Sequence, residues 1–145
     1  MSLNKIAFLL LLGAAPLLAT VARADEEEDI DYRQHIMKTM DEQMAAIQQI
    51  IQHKVPADNF ATHLQVVAVA AATAKAAFTP ASAGGRAKPE VWSKWADFSK
   101  RLDELAAASA ALAKSANEAD VAATAAKLDT LKCQGCHDTY RQKKK

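Results

Sequence analysis

Apolar side chains recur every three or four residues along most of this chain, with polar residues filling the intervals. Met37, Met40, Met44, Ile47 and Ile51 form one such seam, which holds for two heptads before Pro56 ends it. A second seam begins near Ala57 or Asp58 and carries Phe60, Leu64, Val67, Ala71, Ala74 and Phe78 at the same steps. From Thr79 to Lys88 the rhythm is lost, and Pro80, Gly84 and Gly85 predict a loop. Pro89 opens a third helix at a position where its missing N–H costs nothing. The stripe of that helix is Val91, Trp95, Phe98, Leu102, Leu105 and Leu112. Asn117 then reads as an N-cap, with Glu118 and Asp120 in a first turn that favours acids. A fourth helix is predicted from there toward Lys143 through Val121, Ala125, Leu128 and Leu131. Val66 and Val67 are β-branched but sit in a helical alanine context, so no strand is predicted. Four amphipathic helices with short connections and one longer crossing loop predict an all-α, antiparallel four-helix bundle.

Composition narrows the picture. A chain of 145 residues has room for one core. Only 4 glycines and 4 prolines argue against a turn-rich β-sandwich or barrel. Residues 1–24 read as a secretory signal peptide: Lys5, an apolar run from Ile6 to Leu18, then Ala22-Arg23-Ala24 before Asp25. The run is too short for a comfortable membrane span, so no membrane insertion is expected after cleavage. The domain is then residues 25–145. Removing Lys5 and Arg23, and no acid, turns 18 basic against 17 acidic side chains into 16 against 17. A nearly neutral chain gives no reason to expect nucleic-acid binding. The acidic run from Asp25 to Asp31 reads as a solvated helix start.

Export makes the two cysteines the next question. They stand in Cys133-Gln134-Gly135-Cys136-His137. A disulfide between them would close a tiny loop and constrain the unfolded chain very little. A thioredoxin-like redox pair wants a βαβ context that is missing, and a zinc site wants four ligands where only His35, His53 and His63 remain. C-x-x-C-H is the attachment signature of c-type haem. Two thiols must reach the two vinyl groups of one porphyrin while an imidazole reaches the iron. On a helix, positions i, i+3 and i+4 put all three groups on one stripe. One covalently linked haem c per chain is the cofactor expected.

The position of the motif, eight residues from the C-terminus on the last helix of a bundle, resembles the cytochrome c′ family, the class II c-type cytochromes. Tyr32-Arg33-Gln34 opens the first helix, Pro89-Glu90-Val91-Trp92 the third, and Tyr140-Arg141 closes the fourth, as in that family. The resemblance implies His137 as the proximal iron ligand and places Met37 at the distal position. It also puts Arg33 and Gln34 at the haem, Arg86 near its edge, and Arg141 beside the proximal imidazole. By periodicity alone Met37 is core filler alongside Met40 and Met44. Arg33 is open between a propionate partner and an exposed helix charge. His35 lies about 200° around the helix from Met37 and is expected to face solvent, as are His53 and His63. Phe78, Trp92, Trp95 and Tyr140 belong either to the core or to the haem-pocket wall.

The function expected is that of a periplasmic, single-haem carrier of one electron at a time, six-coordinate through His137 and Met37, with no substrate turnover. Its partners would be periplasmic electron-transfer proteins met in brief encounters. Since relatives pair through their first two helices, a homodimer is also an expectation. The alternative is a five-coordinate iron that binds nitric oxide or carbon monoxide. A further alternative is an exported non-haem bundle that uses the cysteine pair for redox or metal chemistry.

Overall fold

A computed structural model describes residues 17–116 and 120–143, with side chains from residue 25. The expected signal segment therefore lies largely outside the described residues, and Asn117 and Glu118 lie outside them entirely. The elements are α1 (Leu17–Ile51), α2 (Phe60–Ala77), a short α3 (Glu90–Ser93), α4 (Trp95–Ser115), α5 (Val121–Ala125), a 3-10 turn (Leu128–Leu131) and α6 (Cys133–Tyr140). α1 packs on α2 and α2 on α4; α4 packs on the 3-10 turn and α6, and α5 returns to α1. The result is a four-helix bundle whose fourth leg is compound.

The predicted seams are the core. Ile47, Phe60, Leu64, Val67, Ala71, Ala74, Val91, Phe98 and Leu102 are buried together, with Met40 at the edge and Met37 and Met44 half-buried against them. α2 is long and apolar enough to cross a bilayer, yet its Phe60, Leu64 and Val67 are buried in this core. Phe98 sits edge-on to Phe78 at 5.1 Å and to Tyr140 at 4.9 Å, which assigns Phe78 and Tyr140 to the core. Trp92 and Trp95 are half-buried at its margin.

α1 starts at Leu17, well ahead of the Tyr32-Arg33-Gln34 expected to open it. Three further boundaries differ from expectation, each for a local reason. α1 ends before Pro56, because His53 adopts the left-handed conformation (φ 55°). Its N–H bonds the Ile50 carbonyl and that of Lys54 bonds Gln49, the paired bonds of a Schellman cap. The third helix is not continuous from Pro89. Lys94 leaves helical geometry (φ −117°, ψ 39°), while the Trp92 indole donates to the Phe78 and Pro80 carbonyls at 3.1 and 3.2 Å. Those bonds tie α3 to the end of α2, and α4 sets off afresh.

The fourth helix, expected to run to Lys143, is broken. Asp120 caps α5 by accepting from the Ala123 N–H at 3.0 Å. Ala125, Leu128 and Leu131 then step by three, the period of the 3-10 turn that forms at Leu128–Leu131. Lys132 is left-handed (φ 50°), so α6 begins in a new direction at Cys133. The chain is extended by Arg141, which makes an isolated antiparallel bridge with Ala87.

Candidate cofactor site

α6 carries Cys133, Cys136 and His137 within one turn of helix, so the three groups leave it on one stripe. Cys133 and Cys136 are not joined by a disulfide. A Cβ built on the intervening Gly135 would meet nothing within 4 Å, so the face of the helix away from that stripe is open. The Cys133 residue is exposed as a whole, yet neighbouring atoms desolvate its sulfur and push the thiol above its ordinary range. Burial does the same to Cys136, and the Arg101 charge works against it. Burial lowers His137, helped by the positive field of Arg141, while Asp41 opposes. The imidazole is therefore held neutral, the form that ligates metals.

A polar cluster anchors this short helix to α4. The Tyr140 hydroxyl donates to Asp97 Oδ2 at 2.5 Å, and Arg101 Nε donates to the same oxygen at 2.7 Å. The Arg101 guanidinium also lies over the Tyr140 ring, 5.7 Å from its centroid. These two hydrogen bonds hold the Asp97 carboxyl below its ordinary range.

Across from α6 stands α1, close enough at Asp41 for that carboxylate to act on His137. One turn earlier is Met37, half-buried. Arg33 is not the exposed helix charge of the alternative left open by the sequence. It is 2% exposed, with Phe78 and Trp92 ring centroids 5.7 and 5.3 Å from its guanidinium carbon. Its Nη2 donates to the Gly84 carbonyl at 3.0 Å, whereas Nη1 is buried without a partner. Burial lowers its pKa, with Asp29 opposing. Gln34 is exposed, and its amide lies where a Cβ on Gly85 would stand.

Arg86 donates from Nε and Nη2 to the Gln142 carbonyl at 3.1 and 2.8 Å, so its guanidinium ties down the chain end. One placement corrects an expectation. His63 is half-buried, not solvent-facing, with Nδ1 2.7 Å from Gln43 Oε1 across the α1–α2 seam. His35 is exposed beside Asp31 at 3.1 Å, and His53 is exposed in its turn. Arg141 is exposed just past α6. Asp97, Arg101 and Lys88 were not singled out as site residues by their sequence positions. The Asp97–Arg101 spacing was readable as a helix pair, but its joint partner Tyr140 lies 43 positions away.

The residues fit a covalent haem. Two thiols and a neutral imidazole share one helix stripe, and a buried guanidinium N–H lacks the acceptor that a propionate would provide.

A family model described as cytochrome C′ matches residues 28–141. The chain belongs to the cytochrome c′ family. Cytochrome c′ of Pararhodospirillum photometricum is 32% identical over 125 residues, covering 82% of this chain and all of the relative. A ferrous variant of cytochrome c′ from Alcaligenes xylosoxidans with bound nitric oxide superposes with a TM-score of 0.73 at 27% identity. It covers 82% of this chain and 97% of that one. A carbon monoxide complex of another variant of that protein gives 0.72 at 27% identity, over 81% and 97%. Haem c is the cofactor of cytochromes c′, and this chain shares it. The non-haem alternative is thereby set aside.

Proposed function

We propose that this cytochrome c′ is a periplasmic haem protein whose iron takes nitric oxide or carbon monoxide opposite His137. Cys133 and Cys136 are the thioether positions and His137 the proximal ligand. Bound there, haem c supplies a redox-active iron that can accept a diatomic ligand. The observation carrying this reading is the likeness, over about four-fifths of the chain, to solved nitric oxide and carbon monoxide complexes. The α1 side supports it. His35 faces away beside Asp31, and His63 is engaged with Gln43, so neither imidazole is directed at the distal position. Met37 and Met40 give α1 an apolar flank there, packed against the core. Arg33 Nη1 is the donor we assign to a propionate. The protein turns over no substrate.

A second reading, the electron carrier, is favoured by Met37 itself, because a thioether is a competent iron ligand and raises the potential. In that case its encounters are with periplasmic electron-transfer proteins. Titrating the reduced haem-loaded protein with carbon monoxide at neutral pH distinguishes the two. Immediate, stoichiometric binding to a high-spin iron is expected. A low-spin iron that binds slowly or incompletely would transfer the assignment to the Met37-ligated carrier.

A further inference from the structure

We propose that Lys88 is a positioning residue for the ligand helix. Its ammonium and its backbone N–H together hold the last turn of α6 and fix the bearing of His137 toward α1. The inference rests on His137 being the iron ligand.

α6 spans eight residues, too few to persist as an isolated helix. It starts at left-handed Lys132 with no side-chain cap and only a loose 3.7 Å pairing of Lys132 with Glu104, so its last turn is where polar bonds hold its direction. A helix leaves its last four carbonyls without internal partners. All four are accounted for here. The Arg141 N–H donates to the His137 carbonyl at 2.9 Å. Lys88 Nζ donates to the carbonyls of Asp138 and Thr139 at 3.0 and 3.1 Å. The Lys88 backbone N–H donates to the Tyr140 carbonyl at 2.9 Å. One residue thus serves three of the four, and its charge lies at the negative end of the helix dipole.

The same loop is seated on α1. Arg33 holds the Gly84 carbonyl. Gly84 (φ 136°) and Gly85 (φ 57°) lie so close that added Cβ atoms would meet Ile30 at 2.7 Å and Gln34 at 2.9 Å. From there the chain runs through Arg86, whose carbonyl accepts from the Gln142 N–H at 2.8 Å, to Lys88. Pro89 follows and limits backbone freedom beyond it. Residues 84–88 are therefore a strap from the middle of α1, at Arg33, to the end of the haem-bearing helix. Lys88 is the buckle: without it the strap reaches α6 only at the residues after its last turn.

The test uses proton NMR of the ferric haem-loaded protein, reading the hyperfine-shifted ring resonances of His137 together with amide exchange. Lys88→Met should move those resonances and speed exchange of the Arg141 amide by about tenfold. Lys88→Arg, which keeps charge and donors, should restore both. Lys75→Met removes an exposed 2.7 Å ion pair with Asp103 elsewhere in the bundle and should leave the His137 signals in place. Should Lys88→Met fail to accumulate, Lys88→Gln is read the same way, with a smaller displacement expected. Unmoved His137 resonances in the Lys88 variants, or an equal displacement in Lys75→Met, would overturn the proposal. Wild-type protein that carries haem but shows no hyperfine-shifted His137 ring would instead overturn the ligand assignment beneath it.

Discussion

Met37 and Arg33 occupy neighbouring turns of α1, and substitutions there separate roles that the bare helix pattern merges. With an open sixth position, Met37→Ala removes packing only. The ferrous spectrum should stay high-spin, and carbon monoxide affinity should change by less than about tenfold, roughly the scale of one altered apolar contact. A change from low to high spin in that variant would make Met37 a ligand. Arg33 makes a different prediction, because its Nη1 is buried without an acceptor in the polypeptide. Arg33→Met should cost the haem-loaded protein about 2 kcal/mol more than the haem-free one, the worth of a charge-assisted bond to a propionate. Thermal or denaturant unfolding of both forms measures this, and an equal loss in the two would leave the guanidinium a structural role alone. The helix pattern offered no sign of this burial, although the family resemblance placed Arg33 at the haem. A charged residue within a helix reads as solvent-facing, and only the folding of Phe78 and Trp92 around it, from 45 and 59 positions away, encloses it.

Among the elements, α6 is the shortest one that carries chemistry, and its attachments are correspondingly polar. The Asp97–Tyr140 bond and the Arg101–Asp97 pair fasten it to α4, and both depend on an ionised Asp97. Those bonds depress the Asp97 pKa in the folded protein, so the unfolded chain binds the proton more readily. The stability they contribute is fully present above the unfolded carboxyl value of about 3.9 and is lost as pH falls through the folded value. Asp97→Asn should therefore flatten the acid limb of stability against pH below about pH 4. Superimposable acid limbs in the two proteins would remove Asp97 from that account. The long elements were legible from sequence because three- and four-residue steps report helix faces directly, as at Ile47, Phe60, Leu64 and Phe98. The breaks were not. Lys94 interrupts its helix beside Trp92, whose indole reaches back to Phe78 and Pro80, and Lys132 turns left-handed ahead of Cys133. Such choices are made by tertiary contacts that a local apolar pattern does not contain.

At the scale of the molecule, the bundle brings the middle of α1, the loop of residues 84–88 and the last helix to one region, where the proposed cofactor chemistry gathers. The C-x-x-C-H motif pointed directly to the proposed attachment site, because covalent and coordinate bonds demand those residue types at that spacing. The supports around it, Lys88 and Asp97 above all, join distant parts of the chain and become visible only in the fold. Two thioether links make retention of the cofactor independent of folding. Cys136→Ala should leave one link and lower the yield of haem-loaded protein, while the haem that is attached stays on Cys133 under denaturant; an undiminished yield would contradict a double link. The most direct measurement is mass spectrometry of the tryptic peptide released between Lys132 and Arg141. The account predicts residues 133–141 carrying the mass of one haem. Recovery of that peptide from exported protein with both thiols unmodified would contradict it.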